Sequence, residues 1–148
     1  MKFLSLFTLL ILFCSTNVFA NDLFGKWQGN GELRFNNQEA TNVAIEMEIE
    51  KNENQLTVTV CWDAVEQLDI IGECSSRWLE IQGARLLNSE GVVGMISKIS
   101  ILYRVKDDFA LITYNPEDHE AQLLLKNLDP NNGSVLYSVQ LKSAAELE

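Results

Sequence analysis

The chain has 148 residues, 11 of them basic and 21 acidic, for a net charge of −10, and 47% of it is apolar. That length suits one domain, and the apolar share suits a chain that folds around a core. The acidity argues against a nucleic-acid binder, which needs clustered Lys and Arg, and a single His argues against a His-rich metal centre or a Ser-His-Asp triad.

Residues 1–20 read as an address. Lys2 supplies a positive charge, Phe3 to Phe13 is almost unbroken apolar sequence, Ser15-Thr16-Asn17 is polar, and Val18-Phe19-Ala20 forms a cleavage triplet. This is the pattern of a secretory signal peptide cut after Ala20, and its apolar run is too short for a permanent membrane helix. Bulky Phe13 before Cys14 argues against a lipid anchor. Residues 21–148 then form the mature domain, and loss of Lys2 leaves 10 basic against 21 acidic residues, a net of −11. No later segment is long and apolar enough for an integral membrane helix. The expected location is outside the cytoplasm, periplasmic if the source is bacterial and otherwise secreted.

Two cysteines remain, Cys61 and Cys74. In an exported chain they most simply form one disulfide. The loop they close has about 14 residues, worth roughly 3 kcal/mol on the chain-entropy account. They are too far apart for a C-x-x-C redox pair.

From Gly25 onward, alternation with period two dominates. Trp27, Gly29, Gly31, Leu33 and Phe35 share one face of a first strand. Val43, Ile45, Met47 and Ile49 alternate with Ala44, Glu46, Glu48 and Glu50. After a turn at Lys51-Asn52-Glu53-Asn54, Leu56, Val58, Val60 and Trp62 form a third dry face. Asp63 to Glu66 resembles a capping box, and Val65, Leu68 and Ile71 fall at helical spacing, so 64–71 is expected to be a short helix at the base of the disulfide. Strands resume over 77–82, 84–88, 92–98, 99–105 and 109–114. Residues 120–128 are read as a strand rather than a helix, because Asp129-Pro130-Asn131-Asn132-Gly133 makes a hairpin with Val135, Tyr137, Val139 and Leu141. The expected fold is all-β: an antiparallel up-and-down, lipocalin-like β-barrel of 8–10 strands with one short helix. A membrane barrel would need an apolar exterior, whereas Glu46, Glu48, Glu50 and Arg34 face outward.

Phe24-Gly25-Lys26-Trp27 opens the first strand and resembles the G-x-W motif of lipocalins and the wider calycin group. The resemblance implies that Trp27 packs across the closed end of a barrel and that Gly25 turns the chain sharply inward. It also implies an Arg stacked on that Trp, with Arg104 as the candidate, and leaves Thr113-Tyr114-Asn115 as an echo of the family's T-D-Y loop.

Catalytic and metal chemistry find little material. Glu46, Glu48 and Glu50 are explained more simply as a wet strand face than as an acid–base pair. Glu117-Asp118-His119-Glu120 lacks metal-loop spacing. Neither metal nor other cofactor is expected, and the chain is not expected to be an enzyme. Two binding roles remain. The first is a small apolar ligand in an interior lined by Trp27, Leu33, Met47, Ile49, Leu56, Val58, Ile101, Tyr103, Leu125 and Val139. The second is an acidic envelope protein that binds or inhibits a basic protein partner such as a lysozyme, with its charge steering the encounter.

Overall fold

Residues that alternate dry and wet pay for a pleated backbone only if every strand finds partners on both sides. This chain solves that by closure. The computed structural model describes residues 21–35, 40–64, 72–128 and 134–146. Ten strands follow one another: β1 (Gly25–Phe35), β2 (Thr41–Asn52), β3 (Gln55–Trp62), β4 (Glu73–Gln82), β5 (Arg85–Asn88), β6 (Gly91–Ile96), β7 (Ser100–Val105), β8 (Asp108–Asn115), β9 (Glu120–Asn127) and β10 (Ser134–Ser143). Each is antiparallel to its neighbours in sequence, and β10 pairs back on β1 to close the barrel. The protein is an all-β up-and-down barrel, as its alternation predicts.

The sequence reading of 120–128 as strand holds for a visible reason. Ala121 and Leu123 are buried while Gln122 between them is exposed, which is period two. The signal segment 1–20 and the 129–133 turn lie outside the described residues. So does the helix expected over 64–71, except Ala64, which is irregular.

The inward faces make one core. Trp27, Leu33, Met47, Ile49, Leu56, Val58, Ile101 and Tyr103 are all buried, and Leu125 packs half-buried against them. The side chain of Val139 lies outside the described ones. Leu56, Leu86, Ile101, Ala110, Ile112, Ala121 and Leu141 are 0% exposed. Side chains that line a void large enough for water keep some touchable surface, so these seven are packed without such a void beside them. Each fully buried Leu or Ile adds roughly 1.5–3 kcal/mol of transfer free energy.

One end of the barrel is shut by the start of the chain. Gly25 has φ +131°, a conformation that only glycine adopts without strain. It turns the 3₁₀ segment Asn21–Leu23 under the sheet, where Leu23 is buried. Trp27 donates its indole N–H to the Leu23 carbonyl at 3.1 Å and meets the Tyr114 ring edge-on at 5.8 Å. The Arg expected to stack on Trp27 is not Arg104. That side chain is exposed, and its Nε donates to the Lys106 carbonyl in the β7–β8 turn. β7 carries Arg104 to the end opposite Trp27. Gly29 permits a close approach, since a Cβ there would collide with the Gln140 carbonyl at the bulge in β10.

Candidate functional site

Polar side chains and clefts gather on the outer wall and at the end opposite Trp27. On the outer wall, Glu46, Glu48 and Glu50 alternate with buried Ile45, Met47 and Ile49, so period two sends all three carboxylates outward. Neighbouring strands set Gln28 and Cys61 beside Glu46, and Lys26 and Thr59 beside Glu48. Lys26 reaches Glu48 at 3.6 Å. A cleft of about 260 Å³ opens among Lys26, Gln28, Glu46, Glu48, Thr59 and Cys61. The disulfide borders this face. Cys61 and Cys74 are bonded, with their Cα atoms 4.0 Å apart, and join β3 to β4 across the outside of the barrel.

The far end holds the unusual polar residues. Arg77 shares its inward face with Leu79 and Ile81, and Asp108 shares one with Ala110, Ile112 and Tyr114. Arg77 Nη2 forms an ion pair with Asp108 Oδ2 across the barrel. Asn127 Nδ2 donates to the other Asp108 oxygen at 3.0 Å, and Arg77 Nη1 donates to the Ser76 carbonyl at 2.9 Å. Below them lies Tyr103, whose phenol is pushed up to about 12, chiefly by burial; Arg77 pulls it down and Asp108 pushes it up. The Trp62 indole N–H, also on the inward face of this end, is buried with no acceptor among the described residues.

The wall beside this cluster has a notch. β4 pairs with β3 from Glu73 to Glu80, but β5 is short and pairs only with Glu80 to Gln82. Glu73 to Leu79 therefore have no strand on their other side among the described residues. A cleft of about 360 Å³ lies there, its lining including Arg77, Trp78, Leu79, Asn88, Val105 and Lys106.

Sequence reading found the outward Glu residues and the disulfide. It missed Arg77, Asp108 and Asn127, although each sits in phase with apolar neighbours, which was the available signal. Glu117 to His119 form a turn instead of a site: Glu117 N donates to Asn115 Oδ1 at 3.0 Å, and His119 Nδ1 bonds the Tyr114 hydroxyl at 3.0 Å. Among the described residues no three His, Cys, Asp or Glu side chains converge as metal ligands, and no helix is long and apolar enough to cross a membrane. No known protein-family model matches the chain, and no curated protein matches it in sequence.

Proposed function

We propose that this is an exported, non-enzymatic barrel of the calycin kind that binds a basic protein partner through the outer face of β1–β3. The cleft between Glu46 and Glu48 carries this reading. A Lys or Arg side chain of a partner would enter between two carboxylates and form charge-assisted hydrogen bonds there. The excess acidity of the chain would speed the encounter. The turn at Gly25 and the packing of Trp27 support the calycin resemblance.

The direct test mixes the mature protein with a basic lysozyme. Activity should fall as protein is added, and association should slow as salt rises. Glu46→Gln with Glu48→Gln should abolish both effects while leaving the fold intact, because the Lys26 pair is exposed and worth little. Full lysozyme activity at excess protein would remove the reading.

The rival role, carriage of a small apolar ligand inside the barrel, draws on the same Trp27 end. It requires buried side chains that are 0–4% exposed, Trp27 and Leu33 among them, to move apart. Organic extraction that yields no lipid, with no uptake of a fluorescent fatty acid, would discard it.

A further inference from the structure

We infer that the notch beside β4 is a docking site for an extended, acidic peptide segment, which binds by adding a strand to the free edge of β4. The inference concerns a different part of the wall from the acidic face and does not depend on it.

The backbone supplies the first argument. Cys61 and Cys74 face each other with Cα atoms 4.0 Å apart. That close spacing marks a facing pair that exchanges no backbone hydrogen bonds. The N–H and C=O of Cys74 therefore point away from β3, and period two sends those of Ser76 and Trp78 the same way. Ile81, at odd position, fits this phase: its N–H goes to the β3 side, donating to the Asn54 carbonyl at 2.6 Å. Arg77 Nη1 already occupies the Ser76 carbonyl. The other groups of Cys74, Ser76 and Trp78 have no strand to meet among the described residues. Glu73 to Leu79 are the longest stretch of strand with one side unpaired among the described residues, and they contain neither Pro nor a bulge to blunt that edge.

Side chains and charge supply the second. Val105, half-buried, offers apolar contact within the cleft. Trp78, on the outer side of the same edge, is 65% exposed, the most exposed large apolar side chain described. Aromatic side chains at an edge of this kind are common anchors. Lys106 projects at the rim with no ion-pair partner among the described residues. Arg77 and Asp108 neutralise each other on the floor. Among the described residues the notch thus presents an unpaired strand edge, apolar contact and a Lys106 with no ion-pair partner, on an otherwise acidic protein. An extended peptide with an acidic end satisfies all three.

The test uses isotope-labelled mature protein and an acetylated peptide of alternating valine and threonine that ends in two aspartates. Because recognition is through the main chain, one such peptide stands for the class. The amides of Cys74, Ser76 and Trp78 should shift and gain exchange protection, while those of β1 and β2 stay put. The same peptide N-methylated at alternate residues should not bind. Ser76→Pro removes an N–H that faces the notch and none that faces β3, so it should weaken binding roughly tenfold, the worth of one or two hydrogen bonds. Lys106→Glu should weaken binding of the acidic peptide and not of one ending in two lysines. Unmoved amides at the three positions, or equal binding of the N-methylated peptide, would overturn the inference. Should Ser76→Pro fail to fold, since it also loses the Thr59 contact to the Ser76 hydroxyl at 2.9 Å, the N-methylated probe decides alone.

Discussion

The two ends of this barrel are built on opposite principles. At the Trp27 end, Leu23, Trp27, Tyr114 and Leu141 meet as a dry plug, and the chief polar contact is one indole N–H on a backbone carbonyl. At the other end, inward positions carry Arg77, Asp108 and Asn127, and among the described residues the wall beside them lacks a strand. The comparison teaches where this fold spends its apolar residues. The Trp27 end is closed by apolar packing, and the inward polar groups gather at the other end.

Mutations should separate the two ends. The largest effect belongs to the plug: Trp27→Ala should cost about 3–5 kcal/mol, read as a lower urea midpoint, because the hole cannot collapse under a closed sheet. A small loss there would contradict the contrast. Next comes the staple near the open end. Replacing Cys61 and Cys74 together by Ser should cost about 3 kcal/mol in the same measurement, reflecting a looser unfolded chain rather than lost packing.

Third is a pH effect centred on Tyr103. Its phenol ionises near 10.0 when unfolded and holds its proton to about 12 when folded. The folded state therefore binds more protons between those values, and stability present below pH 10 drains away as pH rises towards 12. Two units correspond to about 2–3 kcal/mol. Urea midpoints should fall over that window in the parent protein, and Tyr103→Phe should flatten the fall. The smallest effect is expected from Arg77→Met, at about 1 kcal/mol. Arg77 and Asp108 are each about 30% exposed, so water can replace the lost partner. A loss as large as that of Trp27→Ala would show that the open end is as much a part of the core as the plug.

Much of this was legible from the residues. Strands with one charged face, such as β2 with its three Glu, declare their phase and their bounds to within a residue or two. The Gly25–Trp27 step also declared its place, because a sharp turn and a large ring have few other uses at a strand start. Phase was harder to read in β8 and β9, where Leu111 and Leu124 face outward beside inward Ile112 and Leu123, so both faces are apolar. The notch was legible only in part: the expected strand 84–88 ends at Asn88, where β5 stops, but the strand expected over 77–82 begins at Glu73, and how far a strand continues depends on partners distant in sequence. Arg77 was read only as the start of a strand, since a charged residue is ordinarily assigned to the wet side. Its alternation with Leu79 and Ile81 placed it inside.

The closing seam between β1 and β10 has a consequence for how the molecule assembles. Nine of the ten strand pairings join sequence neighbours through short connections, and only β1 with β10 unites the two ends of the chain. Each hairpin can therefore form as soon as its second strand exists, at little loop-closure cost, whereas Trp27 must wait for Ser143. Until then β1 is paired with β2 alone, and its other edge stays open. The zip of the last strand onto the first is therefore expected to be the slow step, to be checked by stopped-flow refolding. A permuted chain with its termini joined and a new break between β5 and β6 would turn that seam into a local hairpin and move the closing step to the four-residue β5.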